Sequence, residues 1–113
     1  MLNAGYYIKT HFSHYLTLTE IARYVKTNAS YLSSMFKEET GLSVRNYINK
    51  VRLDTAQKLL LDTDKTVIQI AGEVGFEDVR YFTRVFKQSL GCTPTEYRRQ
   101  HGKLIVGEPP AGE

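Results

Sequence analysis

Ser30, Ser33, Ser34 and Lys37 stand at positions i, i+3, i+4 and i+7, and Arg80, Thr83, Arg84 and Lys87 repeat that spacing at an offset of 50. On a helix each set forms one continuous stripe, because residues three and four apart are neighbours on its surface. The chemistry such a stripe offers is that of major-groove recognition. A helix fits the major groove of duplex DNA. There Arg can make a paired contact to guanine, Ser and Thr can donate to or accept from several base edges, and Lys suits phosphate. A polar stripe on one helix is ordinarily a solvated face, whereas two of them on a duplicated scaffold favour recognition.

The scaffold is duplicated. Residues 21 to 47 return at 70 to 97: Ile21, Ala22 and Val25 match Ile70, Ala71 and Val74 at an offset of 49. One residue is then inserted, and Tyr31, Phe36, Lys37, Gly41 and Tyr47 match Tyr81, Phe86, Lys87, Gly91 and Tyr97 at an offset of 50. In each copy a short helix, a tight turn and a second helix make a helix-turn-helix pattern. Ala22 and Ala71 are small enough to let the second helix cross closely over the first. Ile21, Val25, Leu32, Met35 and Phe36, and in the second copy Ile70, Val74, Phe82, Val85 and Phe86, supply the apolar seam. Tyrosines and phenylalanines at this spacing read as packing groups rather than base-stacking ones, with Tyr31 and Tyr81 the two that could serve either way.

Turn and cap signals divide the chain into about seven helices and no strand. Thr17 with Glu20, Thr66 with Gln69, and Thr93 with Glu96 are capping boxes, the last reinforced by Pro94 at the first helical position. Asn28 and Asp78 cap the second helix of each copy, which Gly41 and Gly91 end. Ser43 caps a linker helix, 43–61, along which Val44, Tyr47, Ile48, Val51, Thr55 and Leu59 read as a buried stripe. An N-terminal helix over 3–13 turns Tyr7, Ile8 and Phe12 inward. The expected fold is all-α and homeodomain-like, with two helix-turn-helix subdomains (18–40 and 66–90) joined by the long central helix. A last helix over 93–101 completes a domain of residues 1–102, and the Gly-, Pro- and Glu-rich residues 103–113 read as a flexible tail. A linker of about 18 residues spans roughly 27 Å, against about 34 Å for one turn of B-DNA. Such a rod could set both recognition helices in successive major-groove segments of an asymmetric site, with any misfit met by bending the DNA.

With 113 residues and 42% hydrophobic content the chain can bury a core without metal or disulfide support, and a lone Cys92 excludes an internal disulfide. Cys92 sits in a Gly-Cys-Thr-Pro turn, where a small half-buried residue is the natural reading. Without a membrane-length apolar run or a signal peptide at its start, the chain is expected to be cytoplasmic and off the membrane. The net charge of +3 hides an asymmetry, since Val79 to Lys103 holds Arg80, Arg84, Lys87, Arg98, Arg99 and Lys103 against Glu96 alone. The first copy is close to neutral, so a polyanion is drawn mainly to the second.

The stretch YLSSMFKEETGLSVRNYINKVRLDTAQKLL, followed by IAGEVGFEDVRYFTRVFKQSLGCTPTEYRR, strongly resembles the DNA-binding domain of AraC/XylS-type transcription regulators. The resemblance covers about residues 3 to 100, and GFEDVRYFTRVFKQSLGCTPTEYR follows the family signature nearly position by position. It implies sequence-specific binding of double-stranded DNA by a bacterial transcription regulator. Base-reading positions would fall on Ser30, Ser33 and Ser34 in the first unit and on Arg80, Tyr81 and Arg84 in the second, beside Thr83 of the stripe. Lys37, Lys87, Lys26 and the helix starts near Asn28 and Thr93 would hold phosphates. Family members often carry Trp, Gln or Arg on the first recognition helix, so three serines there shift the expected specificity to Arg80 and Arg84. The family's commoner outcome is activation through contact with RNA polymerase, although the residues themselves leave repression open. It also implies a separate sensing, dimerising or receiver domain. With Met1 close to the first helix, an excised C-terminal fragment is expected more than a stand-alone regulator.

Two other classes compete. Enzymatic activity is not expected, nor is any cofactor or metal, because His11 and His14 pair at i, i+3 with no third ligand and His101 stands apart. A helical protein-interaction module is the stronger rival, since Glu38, Glu39, Glu73, Glu77 and Asp78 interrupt any uniformly basic surface. Salt separates the two, because binding to a polyanion weakens steeply as salt rises.

Overall fold

The computed structural model describes residues 2–101, and within them the chain forms seven helices and no strand. The expected tail at 103–113 lies outside the described residues. The chain divides into two compact units, one up to Arg52 and one from Leu53 onward. Helices α1 (Leu2–His11), α2 (Leu18–Tyr24) and α3 (Ala29–Thr40) belong to the first, and α5 (Val67–Glu73), α6 (Val79–Leu90) and α7 (Pro94–His101) to the second. Helix α4 (Val44–Asp62) runs from one into the other.

The caps stand where the side chains require them. Thr17, Asn28, Thr66 and Asp78 each accept a hydrogen bond from a first-turn amide, and Gly41 and Gly91 close α3 and α6 at φ of 80° and 84°, a conformation that a side chain would strain. Thr66 and Gln69 bond reciprocally, as do Thr93 and Glu96, so both boxes form. The bond from the Thr93 N–H, at 2.9 Å, is the main reason that the Glu96 carboxyl is held below its ordinary range. The box expected at Thr17 is only half made. Thr17 accepts from the Glu20 amide, but the Glu20 carboxylate accepts instead from the Tyr7 hydroxyl of α1, at 2.6 Å. A full hydroxyl donor thirteen residues away competes successfully for the side chain, and this bond is the first cause of the raised pKa of Tyr7.

In the first unit Ala4, Ile8, Ile21, Ala22, Leu32, Phe36, Val44 and Ile48 form one buried cluster, closed at its side by Tyr7, Leu16, Val25 and Tyr47. Ile8 of the expected inward face is fully buried; Tyr7 and Phe12 are half-buried, and Ala4, not expected there, is fully buried in the cluster. Arg52 secures the end of this unit by donating from Nε to the Phe12 carbonyl (2.9 Å) and from Nη2 to the His14 carbonyl (3.1 Å).

The second unit is built around aromatic rings. Phe82 lies 5.1 Å from Phe76 and 5.7 Å from Phe86 between centroids, and Phe86 meets the Tyr97 ring edge-on at 5.6 Å. Leu53, Ala56 and Leu60 are its buried residues from α4. The single stripe expected along α4 is therefore corrected. Val44 and Ile48 are buried in the first unit, whereas Val51, Thr55 and Leu59 are only half-buried, and the second unit takes a new row that begins at Leu53. One periodic stripe suits a helix that serves one core, and α4 serves two.

Arg98 was counted above among the basic groups available to a polyanion. It is spent within the second unit: Nε donates to the Leu60 carbonyl at 3.0 Å and Nη2 to the Thr63 carbonyl at 3.1 Å. These oxygens lie at the C-terminus of α4, where carbonyls lack helical partners and a cation is favoured by the helix dipole. Arg98→Ala is expected to cost about 1.5 to 3 kcal/mol of stability in urea unfolding, and Arg98→Lys should recover only part, because an ammonium cannot reproduce the fork.

Candidate nucleic-acid interface

Each unit holds α2 or α5, a turn, and then α3 or α6. The two turns are superposable in their bonding. Thr27 N–H donates to the Ala22 carbonyl at 2.9 Å, and Phe76 N–H to the Ala71 carbonyl at 2.9 Å. Lys26 and Gly75, one residue earlier, both have positive φ, 64° and 103°. The offset of 49 thus persists through Thr27 and Phe76, and that of 50 begins at the caps Asn28 and Asp78. The inserted residue is Glu77.

The insertion changes the start of the following helix. Asn28 accepts from the Tyr31 amide, three residues on, while Asp78 accepts from the Arg80 amide, two residues on, both at 2.8 Å. The Asp78 carboxylate also lies 3.8 Å from the Arg80 Nε. An acidic cap thereby occupies the N-terminus of α6 and holds one arginine of the stripe nearby, in a pair open to water and worth little to stability.

On α3, Ser30, Ser33, Ser34 and Lys37 are all exposed and share one face with Tyr31, which is 52% exposed. On α6, Arg80, Arg84 and Lys87 are exposed, whereas Thr83 is half-buried and gives the stripe less than its spacing promised. Lys37 and Lys87 stand in the last turns of their helices. The two tyrosines at one repeat position part company. Tyr81 is half-buried, its ring 5.9 Å from Phe76, and the Arg84 Cζ sits 5.4 Å from the Tyr81 centroid. Tyr31 has Thr27 where Tyr81 has Phe76, and Ser34 where it has Arg84.

The expected phosphate contacts are equally uneven. Lys26 is exposed in the turn, and the Asn28 side chain is engaged in capping. At α7 the Thr93 N–H donates to the Glu96 carboxylate, the Thr93 hydroxyl oxygen accepts from the Glu96 N–H, and Pro94 has no N–H to offer. Thr93 is thus left its hydroxyl proton alone to offer an anion, less than the lysines provide. Among the described residues, the basic groups exposed in the second unit's C-terminal copy are Arg80, Arg84, Lys87 and Arg99.

Phe76 escaped the sequence reading; it is 4% exposed and part of the core, while Tyr31, left open between packing and stacking, is an exposed aromatic on the first stripe. The signal for it was the pairing of Thr27 with Phe76 at the offset of 49, which gives a ring to one turn and none to the other. No three His, Cys, Asp or Glu side chains stand together as a metal cluster among the described residues. No described helix is long and apolar enough to cross a membrane.

A family model described as "Helix-turn-helix domain" matches residues 21–100. The regulatory protein PocR of Salmonella typhimurium is 35% identical over 100 residues, which are 88% of this chain and 33% of PocR. The chain thus spans about a third of the length of that relative. Among solved structures, the C-terminal domain of AraT, a response regulator from Geobacillus stearothermophilus, superposes with a TM-score of 0.86 at 36% identity, covering 93% of this chain and 88% of that one. The DNA-binding domain of the global transcriptional factor AdpA, solved with a target DNA, shares the fold at a TM-score of 0.84 and 22% identity, over 88% of this chain and 90% of its own. With its duplicated helix-turn-helix units and a family match across most of its length, the chain belongs to the AraC-type helix-turn-helix family of transcription regulators.

Proposed function

We propose that this chain is the DNA-reading part of a bacterial transcription regulator and binds double-stranded DNA sequence-specifically, with α3 and α6 in successive major-groove segments. The observation that carries the reading is the exposed row Arg80, Arg84 and Lys87 on the second helix of a helix-turn-helix, matched in register by Ser30, Ser33, Ser34 and Lys37 on α3. Arg80 and Arg84 read bases, with Tyr81 and Thr83 beside them; Lys26, Lys37 and Lys87 hold phosphates, with smaller parts for Asn28 and Thr93. The serines read through short or water-mediated contacts, so the first unit discriminates less than the second. The chain catalyses no reaction and acts in the cytoplasm, where the bound regulator activates transcription through contact with RNA polymerase.

The test is selection of duplexes from a random pool, followed by footprinting and titration across salt. One asymmetric site covering two adjacent groove segments is expected, with affinity that falls steeply as salt rises. Binding that ignores salt, or a footprint without a defined site, would overturn the DNA reading in favour of a protein-interaction module.

A further inference from the structure

The Tyr81 ring neighbours both the buried Phe76 and the exposed Arg84. Phe76 is 4% exposed, so the ring behind Tyr81 belongs to the core, and it approaches the tyrosine at 5.9 Å between centroids. The Arg84 Cζ lies over the same ring, 5.4 Å from its centroid, within the range in which a guanidinium is attracted to an aromatic face. Arg84 is three residues beyond Tyr81, so the helix itself brings the two together. A long arginine otherwise samples many rotamers and must lose that freedom on binding.

From this chain of contacts we infer that Tyr81 is a positioning residue, which holds the Arg84 guanidinium ready for a base edge and is not itself a base-reading group. Its half-buried ring is the platform, Phe76 is what keeps the platform still, and Arg84 is what it presents. The first unit lacks both ends of the arrangement, with Thr27 for Phe76 and Ser34 for Arg84, and Tyr31 there is exposed with a serine in place of the guanidinium. The identical tyrosines of the repeat therefore do different things. The inference rests on the proposed reading of DNA by Arg84.

The test compares Tyr81→Phe, Tyr81→Leu, Arg84→Ala and the double variant Tyr81→Leu/Arg84→Ala on a selected duplex and on its single-base-pair variants. Tyr81→Phe keeps the aromatic face and should keep discrimination. Tyr81→Leu should lose about two- to fivefold in discrimination, on the scale of a cation–π contact, at the same base pair that Arg84→Ala relaxes, and nothing further in the Arg84→Ala background. Additive losses, or a Tyr81→Leu effect at a different base pair, would show that Tyr81 contacts DNA directly and overturn the inference. If Arg84→Ala relaxes no base pair, the reading of DNA by Arg84 fails and the inference with it. The free protein provides a second measurement: the Arg84 side-chain protons should show an upfield ring-current displacement that Tyr81→Leu abolishes and Tyr81→Phe retains. Should Tyr81→Leu not fold, absence of that displacement in the wild-type protein overturns the inference by itself. Its presence, with discrimination kept in Tyr81→Phe, supports it.

Discussion

Phe86→Ala is expected to unfold the second unit before the first. Phe86 is fully buried, packs on Phe82 at 5.7 Å and meets the Tyr97 ring at 5.6 Å, so truncation leaves a cavity walled by rings that cannot easily close it. Loss of a buried phenylalanine side chain costs about 3 to 5 kcal/mol, a large share of the roughly 5 to 15 kcal/mol that holds an ordinary domain together. Phe36 is its counterpart in the first unit, 1% exposed and 5.1 Å from the Tyr47 ring, in a buried cluster of that unit's own residues. Amide hydrogen exchange should therefore show protection lost over 67–101 in Phe86→Ala and over 18–40 in Phe36→Ala. Equal loss everywhere in both variants would mean that the two cores fold as one cooperative body.

Arg84→Ala is expected to have the largest effect on recognition. A paired arginine contact to guanine discriminates by about 1 to 3 kcal/mol, and its removal should relax preference at one base pair while leaving the others intact. Lys87→Ala provides the contrast. A lysine on phosphate adds affinity without sequence information, so its loss should weaken all duplexes alike and reduce the slope of affinity against salt by about one. Affinities for the selected site and its single-pair variants, measured across salt, separate the two. A uniform loss for Arg84→Ala would reassign that residue to the backbone.

Much of the fold was readable because its signals are local. A threonine that caps a helix, a proline at its first position and a glycine past its end act within four residues; α2 through α7 each begin directly after a capping side chain, and α3 and α6 end at Gly41 and Gly91. The repeat was readable for a related reason, since two copies of one apolar seam announce one packing solution used twice. Of the candidate site, the exposure of its polar rows was readable, because exposure follows from helical spacing. Ser30, Ser33, Ser34, Lys37, Arg80, Arg84 and Lys87 are all exposed, as the spacing required, and Thr83 fell short.

What the sequence by itself determined, then, was the set of helices, the duplication and the polar rows. Only the tertiary structure decided between partners that compete across distance. Glu20 could bond back to Thr17 or out to Tyr7, and the hydroxyl of α1 took it. Arg98 could face a polyanion or the carbonyls ending α4, and the carbonyls took it. Tyr31 and Tyr81 are the same residue at the same place in the repeat, and the half-buried one alone has a ring at Phe76 and a guanidinium at Arg84 beside it. Such choices rest on which groups packing brings within about 3 to 6 Å, the range of hydrogen bonds and ring contacts. Local periodicity carries no record of them.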